Sequence, residues 1–140
     1  MLKRVIAVFL LFAGLAAQAQ LRVSKLTVEY LSNPAGIDGA APRLSWMIES
    51  KTRDVRQAAY QIWVASSPER LREGGADVWV SGKVESTQSV LVPYGGGALG
   101  SGKRYYWKVR VWDQRGDSSS STEPAFWEMG LLNRSDWKGK

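Results

Sequence analysis

The sequence predicts an all-β protein, a two-sheet sandwich of about seven strands, and three observations carry that prediction. Apolar and polar residues alternate over short runs. Those runs are bounded by Gly, Pro, Asn and Ser. After the first twenty residues, no long segment repeats its apolar positions with helical spacing. Alternation sends successive side chains to opposite faces of a strand, so each run offers one face to a core and one to solvent. The chain has 140 residues, 44% of them hydrophobic and seven of them Trp, which is enough apolar material for one packed domain.

The opening "MLKRVIAVFLLFAGLAAQAQ" differs in character from the rest of the chain. Lys3 and Arg4 precede an apolar run from Val5 to Ala17, and small residues stand at Ala17 and Ala19. This is the pattern of a secretory signal peptide covering residues 1–19, with cleavage after Ala19 and a mature chain from Gln20. The run is shorter than the roughly 20 residues that cross a bilayer comfortably, so no membrane attachment is expected after cleavage. An exported chain without cysteine has no disulfide and no lipid-carrying thiol, so packing alone must hold it.

The elements then follow in order. The first strand places Leu26, Val28 and Tyr30 on one face and is closed by "SNPAGIDGAAP", whose prolines and glycines cannot continue a ladder. The second begins at Arg43 and alternates Leu44, Trp46 and Ile48 against Ser45, Met47 and Glu49. The third, "AAYQIWVAS", sets Tyr60, Ile62 and Val64 against Ala59, Gln61, Trp63 and Ala65. "SPERLREGGAD" makes one helical turn with Pro68 at its first position. Val78–Gly82 and Ser86–Tyr94 are two further short strands. "GGGALGSG" is a wide turn; it lacks the Lys-Ser/Thr ending of a phosphate loop and leads into a strand. Next come "YYWKVRVWD", the loop "QRGDSSSSTEP" and a last strand at Ala125–Met129. The sandwich spans residues 20–130.

The richest run, Tyr105 to Asp113, decides the inside from the outside. Tyr105, Trp107, Val109 and Val111 share a face without charge, whereas Tyr106, Lys108, Arg110 and Trp112 share the other. The first face belongs to the core with Trp46, Tyr60 and Ile62, each side chain contributing about 1.5–3 kcal/mol on burial. Leu99 precedes Tyr105 across a turn, the spacing at which a tyrosine folds over a corner and bonds to upstream backbone.

Chemistry is scarce. Nineteen basic and 13 acidic residues give a formal charge of +6, and loss of Lys3 and Arg4 lowers it to +4; without a basic block this does not favour nucleic acid. With no His and no Cys, the usual catalytic triads and a His- or Cys-based zinc site are excluded. The close carboxylate pairs, Asp113 with Asp117 and Glu69 with Glu73, lie in turn-like segments where acids serve as caps. "RGD" at Arg115–Asp117 reads as a turn around Gly116. No catalytic, cofactor-binding or metal-binding residue is expected, and no cofactor.

Five ordered blocks, "PRLSWMIES", "QAAYQIWVASS", "DVWVSGKVES", "YYWKVRVWD" and "FWEMGLLNRSDWKGK", resemble the N-terminal fibronectin type III-like domain of bacterial α-L-rhamnosidases of glycoside hydrolase family 78. The resemblance covers nearly all of the mature chain. It departs at Val80, where the family usually carries Asp, a change that would remove a turn-capping carboxylate. The resemblance implies an immunoglobulin/fibronectin type III-like sandwich from an exported, periplasmic or extracellular enzyme that removes terminal α-linked L-rhamnose with inversion. In the family the reaction belongs to an (α/α)6 barrel far downstream, where two carboxyl groups about 6.5–9.5 Å apart act on the sugar. This chain would be a fragment, inactive alone, with the downstream domains as its partners and residues 131–140, ending "SDWKGK", as the linker into a downstream domain absent from this chain.

The outward face supplies the candidate site. In fibronectin-type topology the third strand pairs with the Tyr105–Asp113 strand, so Trp63, Tyr106 and Trp112 form an aromatic patch flanked by Lys108 and Arg110. Three readings stand open: basic side chains covering the rings, docking against a later domain, and stacking of rhamnose-containing glycans. A freestanding carbohydrate-binding or adhesion module is the alternative to an accessory domain.

Overall fold

The computed structural model describes residues 21–72 and 74–139; the expected signal peptide, Gln20, Glu73 and Lys140 lie outside the described residues. Within them run β1 (Leu21–Val28), β2 (Arg43–Ser50), β3 (Gln57–Ala65), α1 (Pro68–Arg72), β4 (Trp79–Val80), β5 (Val92–Pro93), β6 (Arg104–Asp113), β7 (Ser118–Ser120), β8 (Ala125–Glu128) and a 3-10 turn at Arg134–Asp136. They form two sheets, β1-β2-β5 and β4-β3-β6-β7, with β8 also paired to β6. All pairings between these strands are antiparallel. The chain changes sheet between β2 and β3, returns between β4 and β5, and crosses again between β5 and β6, giving the two-sheet sandwich that the alternation predicts.

Three details differ from the sequence expectation, each for a backbone reason. The face Leu26-Val28-Tyr30 is broken: β1 starts at Leu21, buries Leu21, Val23 and Val28, and shifts register between Ser24 and Thr27, where Lys25 has φ 49°. A bulge moves every later side chain to the other face. Tyr30 consequently sits in a two-residue turn that Val28 and Leu31 close with reciprocal 2.9 Å backbone bonds, and its side chain is 64% exposed. The second difference is length. Val78–Gly82 and Ser86–Tyr94 keep only Trp79–Val80 and Val92–Pro93 as strand, because Gly82 and Leu91 take left-handed backbone, at φ 68° and 55°. The third is β7, which arises inside the expected loop. It and β8 lie end to end beside β6, opposite Arg110–Trp112 and Arg104–Trp107, as halves of one strand interrupted before Pro124.

The two sheets close on an aromatic core. Trp46, Ile62, Trp107, Val109 and Trp127 are fully buried, and Tyr60, Tyr94 and Tyr105 nearly so. Trp46 meets Tyr60 edge-on at 5.2 Å, Tyr94 meets Trp127 at 6.1 Å, and Tyr105 meets Trp127 at 5.5 Å. The Tyr105 hydroxyl accepts the Gly100 N–H at 2.7 Å, which ties the glycine-rich turn to the start of β6. Gln57 is the buried polar member. Its Oε1 accepts the Trp46 indole N–H at 2.9 Å, and its Nε2 donates to the carbonyls of Gln88 at 2.7 Å and Ser86 at 3.1 Å. One amide thus joins both sheets to the segment between β4 and β5.

An edge is also closed. The chain after β1 runs beside β8, with Phe126 N–H donating to Asn33 Oδ1, Glu128 N–H to Pro34 O, and Gly130 N–H to Ile37 O at 2.9, 2.9 and 2.8 Å. Gly130 and Gly36 pack backbone to backbone at this seam.

Two outcomes test the core. Trp107→Ala should lower unfolding free energy by about 3–5 kcal/mol in denaturant titration, through the cavity it leaves. Gln57→Leu should cost about 2 kcal/mol or more, because the Trp46 donor and two carbonyls lose their partner together; a midpoint equal to wild type would show that the amide is dispensable.

Candidate functional site

The face outside β3 and β6 is assembled by register. Trp63 lies directly opposite Lys108, Gln61 opposite Arg110, Ala65 opposite Tyr106 and Ala59 opposite Trp112. Alternation turns all of these side chains away from the core, so the sheet gathers Trp63, Tyr106, Lys108, Arg110 and Trp112 on one surface. It does not gather the three rings into one aromatic plane. Lys108 and Trp112 are four residues apart on β6, about 13 Å along a strand. Each ring instead has its own neighbour.

Lys108 carries the most constrained charge. Its ammonium lies 5.1 Å from the Trp63 ring centre and donates a 2.6 Å hydrogen bond to the Leu71 carbonyl near the end of α1. The helix reaches this position because Leu71 is buried beneath it, and Arg72 falls in its last turn. Burial pushes the Lys108 pKa below the ordinary lysine value, and the Arg110 charge adds to the effect. Trp112 is bracketed by the Lys83 ammonium at 4.9 Å and the Arg110 guanidinium at 6.0 Å, while Arg110 Nε donates to Ser120 Oγ at 3.0 Å. Tyr106 packs at 6.0 Å from Phe126, whose ring also lies under the Arg104 guanidinium at 4.3 Å. Lys83, Phe126 and Leu71 were not legible as part of this surface, since each comes from a segment distant in sequence. Val80 stands opposite Trp63 at the sheet edge, and the side-chain bonds at this turn come from Ser81, whose hydroxyl accepts the Ile62 N–H at 2.8 Å and donates to Gly82 O at 2.7 Å.

Asp113 and Asp77 are held by local hydrogen bonds. Buried Asp113 accepts the N–H groups of Arg115 and Asp117 at 2.8 and 3.0 Å and so shapes the β6–β7 turn, with Gly116 at φ 87°. Glu69 lies in the first turn of α1, and Glu73 is outside the described residues. Asp77 borders an open depression of about 520 Å³ lined also by Ser66, Tyr94, Lys103, Arg104 and Tyr105. Hydrogen bonding from Ser66 holds its carboxyl below the usual aspartate range, and Arg70 adds a smaller charge effect. Among the described residues, no second acid lines that depression. No group of three or more His, Cys, Asp or Glu among the described residues is placed to hold a metal ion. No helix among them is long and apolar enough to cross a membrane.

The lowered Lys108 pKa has a testable sign. Between its folded value and the ordinary value of the unfolded chain, the unfolded state binds more protons, so this group makes stability rise with pH in that window. Lys108→Met keeps the stem on Trp63 and removes the titration. Melting temperatures at about pH 8 and about pH 10 should therefore shift upward more in wild type than in the variant; equal shifts would show that Lys108 is solvated like an ordinary surface lysine.

The same architecture recurs in known proteins. The solved structure of Streptomyces avermitilis α-L-rhamnosidase complexed with L-rhamnose aligns with a TM-score of 0.80 and 50% identity, over 86% of this chain and 12% of that one. The α-L-rhamnosidase from Dictyoglumus thermophilum aligns with a TM-score of 0.80 and 37% identity, over 85% of this chain and 13% of that one. Among curated sequences, an α-L-rhamnosidase of Formosa agariphila is 44% identical over 120 residues, 86% of this chain and 13% of its own. The chain therefore spans about an eighth of the relatives it matches. A family model described as the Rha78A-like, N-terminal immunoglobulin domain matches residues 23–133, and the chain accordingly belongs to that family.

Proposed function

We propose that this chain is the non-catalytic N-terminal sandwich of an exported α-L-rhamnosidase, which supports and docks to the catalytic part that hydrolyses terminal α-L-rhamnosyl linkages. The observation that carries the proposal is the match itself: nearly all of this module corresponds to about an eighth of each rhamnosidase. The committed carboxylates agree with it. Asp113 shapes a turn and Asp77 is held by Ser66, which leaves neither free to protonate a leaving oxygen or activate water. The N-terminal charge and apolar run support export, with residues 1–19 as the signal peptide and residues 131–140 leading toward the remaining domains.

Sugar stacking on the outer face requires an open ring, whereas Trp63 and Trp112 each have a cation within about 5 Å, at 5.1 and 4.9 Å. Covered rings favour the accessory role over a freestanding carbohydrate-binding module. Two measurements separate these readings. Purified chain should release no rhamnose from a chromogenic α-L-rhamnoside; turnover would overturn the non-catalytic assignment. Rhamnose-bearing oligosaccharides should leave its tryptophan emission unchanged, and saturable quenching abolished by Trp112→Ala would favour the binding module. Mass spectrometry of the exported product should find Gln20 at its amino end.

A further inference from the structure

The residues after β8 do not behave as a plain linker. Met129 N–H bonds to Lys103 O at 2.8 Å, and Gly102 N–H to Gly130 O at 3.1 Å, carrying the pairing with the start of β6 beyond the strand. Leu132 N–H then donates to Ser101 Oγ at 2.8 Å. Asn133 and Asp136 form a reciprocal cap around the 3-10 turn, with both the Asn133 backbone N–H and Nδ2 3.1 Å from Asp136 Oδ2. Ser101 Oγ also donates to Gly130 O at 3.4 Å, so Ser101 fastens the arm of the bend that leaves β8. The bend presents three large apolar side chains that the sandwich core does not use: Leu131 at 45% exposure, Leu132 at 38% and Trp137 at 71%. Three such side chains within seven residues are unlike the scattered apolar residues of an ordinary surface.

We infer that residues 131–137 form a rigid elbow whose Leu131, Leu132 and Trp137 plug into the domain that follows this module in the rhamnosidase relatives, fixing how the two sit together. The inference rests on the accessory-domain reading and names its contact. The occupant follows from continuity. The family is an N-terminal domain, its match ends at residue 133, and about seven-eighths of each relative lies outside the aligned part. The elbow is therefore the portion of the module nearest to the rest of such a polypeptide. A pinned bend also loses little conformational freedom when its side chains are buried, so ordering entropy opposes the contact weakly.

The test joins this chain through Lys140 to the Streptomyces avermitilis enzyme in place of that enzyme's own matching module. The wild-type fusion should melt as one unit, resist proteolysis at the junction and cleave an α-L-rhamnoside. Leu131→Ser, Leu132→Ser and Trp137→Ser combined should speed cutting at the junction by about tenfold or more, and Ser101→Ala should do so to a smaller degree. The same triple variant in the isolated 140-residue chain should leave its melting temperature unchanged, because these side chains lie outside the core. A fusion whose junction is cut equally fast with and without the triple substitution overturns the elbow while leaving the accessory reading intact. A wild-type fusion no better than the enzyme lacking the module overturns both. A wild-type chain that sediments as a dimer, and as a monomer once Trp137→Ser is made, overturns it by naming a second copy as the occupant.

Discussion

The sandwich depends on one buried amide. Gln57 receives the indole proton of Trp46 from the opposite sheet and gives its own protons to the Gln88 and Ser86 carbonyls. The Trp46 indole N–H and the Gln57 amide are buried and would otherwise be stranded, at about 1–3 kcal/mol apiece. The bond to Trp46 also fixes the indole that meets Tyr60 edge-on, so hydrogen bonding and aromatic packing constrain the same ring. A core of this size without disulfides needs a directional interaction to select one register among several apolar fits.

The outer surface is set by that register. Because Ile62 and Val109 face inward opposite one another, Trp63 and Lys108 must face outward opposite one another. The lysine stem covers the ring, and its head finds the Leu71 carbonyl where α1 ends. The surface is thus aromatic in composition, with the Lys83, Lys108 and Arg110 cations set against its tryptophan rings. Three of the exposed large apolar side chains, Leu131, Leu132 and Trp137, lie away from this face, on the bend beyond β8.

The fold was legible because period-two alternation is a local property. Trp107 and Tyr106 fall on opposite faces whatever else the chain does, and the Tyr105 corner comes from a turn of known span. The errors come from single backbone angles. Lys25 at φ 49° reverses the expected faces of β1, and Leu91 at φ 55° cuts short the strand ending at Tyr94, yet neither residue type announces such a conformation. Gln57 was unremarkable in sequence because a glutamine at a strand start is usually solvated. Its burial depends on Trp46 and the 86–88 carbonyls arriving from two other segments. The outer cluster was legible as far as one strand pair extends, and Lys83 and Phe126 were hidden because only the assembled sheets bring them there.

The seam where Asn33–Ile37 lies beside β8 bears on how the molecule comes into being. Asn33 and Phe126 are 93 residues apart along the chain, yet they bond directly. Loop closure over that distance is entropically expensive and slow, so the early segment waits for the late one. A growing chain therefore has no means of sealing itself halfway through synthesis, and its architecture locks only once its last strand is free to join its first crossover.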